Sequence, residues 1–222
     1  MNAPVADAER AAPELRWLEH AFFLSGIAAL TYQVAWERVL FVIFGINTEA
    51  VTVVVTAFLL GLGVGSAIGG WVSKRPGCRH LRWFGGAELA IAAFGALSVP
   101  FYHAVGRATL GFGPLATAAV TFLLVLLPTV LMGATLPLLV AYAVRASGSV
   151  GWSVGTLYHV NTAGSAIAAV LTVTLLLPYL GLQGTVLAAG ACNCAAAYMA
   201  LRRDRRGEDA APAVAAPATE AA

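Results

Sequence analysis

The chain has 222 residues, 59% of them hydrophobic and only 11% charged, and its formal net charge is +2. An ordinary soluble domain carries about 25% charged residues. The deficit excludes a soluble globular enzyme and predicts an all-α integral membrane protein.

Residues 1–16 are rich in Ala and Pro and mix charges (Asp7, Glu9, Arg10, Glu14, Arg16). They predict a short disordered lead. A cleaved signal peptide fits poorly, because the lead holds acids and the following apolar stretch exceeds the usual ~7–15 residues. About 20 residues cross the hydrocarbon, so the first span runs from Trp17 to near Trp36. Glu37 and Arg38 then fall at the outer surface, and residues 39–44 either lie along the interface or extend a tilted helix. Asn47 or Thr48 caps the second span, about 50–71, with Glu49 in its first turn.

Residues 61–82 read GLGVGSAIGGWVSKRPGCRHLR. Gly61, Gly65 and Gly69 recur every four residues and so share one helix face. Small residues there let two helix backbones approach closely, which is how helices associate in lipid. The turn that follows carries Lys74, Arg75, Arg79 and Arg82, and a basic turn belongs in the cytoplasm. The third span is about 82–105, and residues 106–114 form an outer loop. The fourth, 115–144, contains Pro128 and Pro137. Pro137 lacks an N–H and crowds the carbonyl of Gly133, so this helix is expected to kink or break. The fifth span is 151–177, the outer turn 178–184 and the sixth span 185–201. Residues 202–222 read as a disordered cytoplasmic tail.

With both termini inside, every basic residue except Arg38 and Arg107 lies on the cytoplasmic side. Trp17, Trp36, Trp71, Trp83 and Trp152 all fall at predicted membrane boundaries, where indole rings prefer to sit. Spans two and five are both rich in small residues, the latter through Gly151, Gly155, Gly164 and Ala168. They predict a six-helix bundle of two inverted three-helix units, a plan common in transporters.

A charge at mid-span needs a partner. Glu88 lies at a depth in the third span similar to that of His159 and Asn161 in the fifth. The three form either a polar site or proton relay, or a structural hydrogen-bond cluster. Gln33, Glu37 and Arg38, with Tyr32 and Trp36, form a second group near the outer surface, either a substrate mouth or an interfacial anchor. His20 and Glu19 read as a solvated helix start. No dinucleotide fingerprint, P-loop, nucleophile–base–acid set or metal-ligand cluster is legible. Cys78 lies in the basic turn, and Cys192 and Cys194 point to different faces of one helix, so no disulfide or metal site is expected. No cofactor is expected, nor nucleic-acid binding, because the basic residues border a membrane.

Three stretches carry a family resemblance: SGIAALTYQVAWERVLFVIFGINTEAVTVVVTAFLLGLGVGSAIGGWV, LPTVLMGATLPLLV and VGTLYHVNTAGSAIAAVLTVTLLLPYLGLQGT. Together, over residues 22–201, the chain resembles the membrane-spanning half of bacterial fused major facilitator/spermidine synthase-like proteins. The resemblance implies a multi-pass protein of the bacterial inner membrane. It also implies a soluble aminopropyltransferase-like domain, whose catalytic residues are not found in this sequence. The chain alone is therefore not expected to be an enzyme. It would anchor such a protein as a separate partner, or supply it with a small solute related to polyamines. The alternatives are a small transporter of a cationic or other metabolite acting as a homodimer, and a complete membrane-bound synthase. The turn at Gly70, Arg75, Gly77 and Arg79 also resembles the major facilitator loop motif, with Lys74 where that motif has an acid.

Overall fold

Apolar chain in lipid can satisfy its backbone only as helix or closed barrel, and the long Ala/Leu/Val/Gly runs here all fold as helix. The computed structural model describes residues 3–44, 48–109, 111 and 113–210. Its elements are α1 (Ala3–Phe44), α2 (Thr48–Ser73), α3 (His80–Ala108), α4 (Pro114–Ser147), α5 (Val150–Leu171), a π turn (Thr172–Leu176), α6 (Leu177–Arg205) and a 3-10 turn (Glu208–Ala210). No strand occurs among the described residues.

Four helical stretches are long and apolar enough to cross a membrane: Val51–Ser73, His80–Ala108, Leu115–Ser147 and the whole run Val150–Arg205. Their outer faces expose Leu59, Leu97, Leu115, Leu123, Leu127 and Val170. Such a surface suits lipid contact and not water.

Local chemistry sets several ends. Pro114 opens α4 after an extended Gly113, and Gly148 closes it in the left-handed region (φ 68°). Ser149 caps α5 by accepting a hydrogen bond from the Trp152 amide at 3.4 Å. Pro128 and Pro137 sit inside α4, which runs as one continuous helix, so of the kink or break expected at Pro137 the break does not occur. Neighbouring helices can hold a proline-bearing helix together in this way. The interruption lies instead at Gly181, with φ 63° and ψ −177°, a conformation that only glycine adopts readily.

The chain doubles back at Gly181. Thr172 hydrogen-bonds Thr31 of α1 at 3.1 Å, and Gly190 abuts Tyr32, the next residue of α1. Eighteen helical residues would otherwise separate Thr172 from Gly190 by about 27 Å. Successive contacts Phe22–Asn161, Gly26–Ser165 and Thr31–Thr172 make α1 and α5 parallel. Gly61–Thr129, Gly65–Val130 and Gly69–Ala134 make α2 and α4 parallel. Gly85–Leu201 and Ala96–Gln183 make α3 and α6 antiparallel. The main pairings are α2 with α4, α1 with α5 and α6, and α3 with α6 and α4.

Two apolar cores fill the bundle. One centres on Tyr32, Trp36, Phe58, Ile91 and Tyr102, the other on Leu18, Phe22, Leu81, Phe84, Leu139 and Leu157. Trp36 therefore packs inside the bundle and does not lie on its outer face. It is fully buried, stacked on Tyr32 at 5.0 Å, and its indole N–H donates to Ser98 Oγ at 2.9 Å. That bond satisfies the one polar atom of the ring, so nothing draws it to the interface.

Helix extends into parts of both terminal segments that the sequence reads as disordered. Residues 3–16 belong to α1, since Ala, Glu and Arg are strong helix formers extending a helix already nucleated. Residues 202–210 continue α6 and then fold back. Residues 211–222, and the expected cap at Asn47, lie outside the described residues.

Candidate functional site

Glu88 of α3 is completely buried. Ser25 Oγ of α1 donates to its Oε1 at 2.6 Å, and Asn193 Nδ2 of α6 donates to its Oε2 at 2.6 Å. Three helices thus converge on one carboxyl. Among the described residues no cation pairs with it: Arg79–Asp204, Arg203–Glu208 and the close approach of His80 to Asp209 all lie near the α2–α3 turn and the end of α6. Asn193 Oδ1 and Tyr32 Oη are buried without a hydrogen-bond partner.

On the other side of Ser25 lies a cavity of about 400 Å³ between α1, α2, α4 and α5. Its polar lining is Ser25, Gln33, Ser66, Thr135, Tyr158, Asn161 and Ser165, and its apolar lining includes Phe22, Phe58, Leu62 and Met132. Among the described residues, no carboxylate, Lys, Arg or His lines it. Asn161 Nδ2 donates to the Phe22 carbonyl at 3.1 Å, and Ser165 Oγ to the Gly26 carbonyl at 3.1 Å. These bonds fix the α5 wall of the cavity onto one turn of α1.

The structure therefore separates residues that similar depth had grouped. Asn161 and Gln33 line the cavity, and Glu88 stands one hydroxyl behind it. His159 is exposed and outside the lining. Two residues apart on a helix lie about 200° apart around its axis, so His159 and Asn161 face opposite ways. Glu37 is half-buried and Arg38 exposed, and neither joins an ion pair among the described residues. Ser25 and Asn193, the two partners of Glu88, went unread. Asn193 is a lone amide in an Ala-rich span, which is a legible signal. Ser25 is not, because a single serine in a helix is ordinary.

Gly61, Gly65 and Gly69 are buried against α4, where a Cβ would run into Thr129, the Val130 carbonyl and the Ala134 carbonyl respectively. Gly164 meets the Phe23 carbonyl of α1 in the same manner. Gly155 faces open space.

A second polar cluster closes the α2–α3 turn. Asp209 Oδ2 accepts from the Leu81 amide at 2.9 Å, capping α3 from 128 residues away. Arg79 Nε donates to Asp204 Oδ1 at 3.0 Å. His80, fully buried, places Nε2 3.1 Å from the Ser73 carbonyl. Its Nδ1 stands 3.4 Å from Asp209 Oδ1 without forming a hydrogen bond. Burial pushes the Cys78 thiol beside them above its usual range, and the Asp209 carboxylate pushes it further, against Arg145 and Arg75. The three cysteines are free. No cluster of His, Cys, Asp and Glu able to hold a metal occurs among the described residues. No family model matches the chain, and no curated protein or solved structure is significantly similar to it.

Proposed function

We propose that this chain is a six-pass protein of the bacterial inner membrane, with both termini cytoplasmic, that binds and passes a small solute. In this reading α1 makes the first pass and the reversal at Gly181 splits Val150–Arg205 into the last two. The single observation that carries it is the cavity between α1, α2, α4 and α5. Transporters built from inverted repeats place their solute sites between the repeats.

The helix pairings support two inverted units, α1–α3 and α4–α6. Exchanging α1 with α4, α2 with α5 and α3 with α6 turns the main pairings into one another: α2–α4 into α5–α1, α1–α6 into α4–α3, and α3–α6 into itself. The match reaches single residues. Gly133 of α4 abuts Leu62 of α2 as Gly26 of α1 abuts Asn161 of α5. Four residues beyond Leu62 and Asn161, Ser66 and Ser165 both line the cavity. The cavity is thus formed by the four helices that the two units exchange.

The family resemblance extends the proposal to a partner. The module would anchor a soluble aminopropyltransferase-like protein, or supply it with its solute, and the basic residues of the α2–α3 turn and the α6 end are on the side such a partner would occupy. Flux of amines into proteoliposomes tests the transport reading, with Glu88→Gln as the comparison. Solute-dependent flux that falls in the variant is expected. Absence of flux for every amine tried would remove transport. Purification from native membranes in mild detergent tests the partner, and recovery of the chain free of any soluble protein would remove it.

A further inference from the structure

Where α3 starts and α6 stops, the two helices meet along a depression on the side of the bundle. Gly85 of α3 lies against the Leu201 side chain of α6. Beside that contact is a hollow of about 370 Å³, walled by Leu89, Cys194, Tyr198 and Leu201, with Arg202 and Arg205 at one end. A second hollow of about 300 Å³ shares Leu201 and Arg205 with it and adds Arg79, Arg82 and Asp204. The two form one depression, basic at one end and apolar at the other.

The basic end carries uncompensated charge. Arg79 is paired with Asp204 at 2.9 Å, and Arg203 with Glu208 at 2.8 Å. Asp204 is the one carboxylate lining the depression among the described residues, and it is buried and committed to Arg79. Arg82, Arg202 and Arg205 are exposed and join no ion pair among the described residues.

The apolar end is uncovered as well. Leu89 and Tyr198 are exposed, and so is Cys194. Eight residues of α6 separate Cys194 from Arg202, about 12 Å along the axis. That is close to half of a hydrocarbon core about 30 Å thick. A soluble acidic protein could meet the arginines, but it would leave this wall bare. A phospholipid satisfies both ends at once. Guanidinium forks match phosphate oxygens, and basic pockets between membrane helices recognise anionic headgroups.

We propose that this depression binds one anionic phospholipid. Its phosphate sits among Arg82, Arg202 and Arg205, and an acyl chain runs along Leu89 and Tyr198 toward Cys194. The site is on the opposite face of α6 from no residue of the solute cavity and shares none of its lining, so it stands or falls separately from the solute reading.

The test uses the full chain in mild detergent with phosphatidylglycerol and phosphatidylcholine of the same acyl chains, supplied in equal amounts. Native mass spectrometry reads the lipid retained. Phosphatidylglycerol is expected to be retained about tenfold or more over phosphatidylcholine, as several arginines near one phosphate allow. Replacing Arg82, Arg202 and Arg205 together by Gln should abolish that preference. Lys74→Gln removes a charge from the neighbouring turn and should leave it intact. Cys194 reports occupancy of the wall in a background where Cys78 and Cys192 are alanine. Its maleimide labelling should slow severalfold with phosphatidylglycerol and stay unchanged with soluble glycerol phosphate. Equal retention of the two lipids, or a preference that survives the triple substitution, would overturn the site. A loss in Lys74→Gln as large as in the triple variant would reduce it to general surface charge. Labelling unaffected by bound phosphatidylglycerol would place the lipid elsewhere, and protection by glycerol phosphate would assign the arginines to a soluble phosphate; either result would overturn the proposal.

Discussion

The α2–α4 and α1–α5 contacts rest on the same device and differ in what accompanies it. In both, glycine brings one helix onto the bare backbone of another: Gly61, Gly65, Gly69 and Gly133 in the first, Gly26 and Gly164 in the second. Between α2 and α4 little else is added beyond Thr129, whose hydroxyl turns mainly to carbonyls of its own helix. Between α1 and α5 two side chains, Asn161 and Ser165, reach across to carbonyls of the opposite helix. The first contact is a clamp held by close packing, which is the main source of helix association where the solvent is as apolar as the side chains. The second carries polar groups to the cavity and uses them to hold its wall. The contrast shows where the fold accepts the cost of buried polarity, and that place is the candidate site.

The clamp should be the less forgiving of the two. In Gly65→Ala the new methyl would overlap the Val130 carbonyl and approach the Ala134 amide. Backbone cannot swing aside as a side chain can, so the helices must separate. A loss of about 3 kcal/mol or more is expected, at the upper end for overpacking, read as a fall in the thermal midpoint of the detergent-solubilised protein. A midpoint unchanged within error would show that α2 and α4 are not in this contact.

Asp209→Ala comes next and probes the turn that joins the clamp to α3. It removes the cap on the Leu81 amide and the carboxylate facing His80. About 1 to 2 kcal/mol should be lost, as for a helix cap. The same change removes a charge that raises the Cys78 thiol, so maleimide should label Cys78 faster in a background where Cys192 and Cys194 are alanine. The sign follows from linkage: a lowered thiol pKa gives more thiolate at neutral pH. An unchanged labelling rate would sever Cys78 from Asp209.

The clamp was legible in the sequence and the site largely was not, for a physical reason. Glycines four apart announce a packing face because helix geometry alone places them together. Nothing comparable relates Ser25, Glu88 and Asn193, which come from three helices and meet only in the assembled bundle. Depth in the membrane could be estimated by counting residues, and Glu88 was found in that way. Rotation about the helix axis could not, and so His159 was grouped with Asn161 although the helix turns it away. Trp36 was read from the interfacial preference of indole, which yields where Ser98 supplies a buried acceptor. Asp209 was read from its charged, Ala/Pro-rich surroundings, which give no sign that α3, more than a hundred residues earlier, needs a cap.

Asn161→Ala tests the polar half of the comparison. It removes the Nδ2 bond to the Phe22 carbonyl, but that carbonyl keeps its place in the α1 ladder, and the close approach of Gly26 to the Asn161 backbone is unchanged. Side-chain hydrogen bonds between membrane helices average about 0.6 kcal/mol. The expected loss of stability is of that order, well below that of the clamp substitution. The loss at the cavity should be larger in proportion, since an acceptor disappears from its wall. A stability loss as great as that of Gly65→Ala would mean that α1 and α5 depend on this bond for their docking, and the distinction between clamp and wall would fail.

The smallest effect is expected where the sequence reading and the structure part company over a glycine. Gly155 follows Gly151 at the four-residue spacing that marks the α2 clamp, yet no atom lies within 4 Å of a Cβ built there. Gly155→Ala should therefore change the thermal midpoint by no more than about 0.5 kcal/mol would, and the better helix propensity of alanine favours a small gain. The same glycine-to-alanine change is thus predicted to be severe at Gly65 and nearly silent at Gly155. A severe effect at Gly155 would mean that this face of α5 is covered in the membrane, and a second copy of the chain would be the first occupant to seek, by cross-linking through a cysteine placed at position 155.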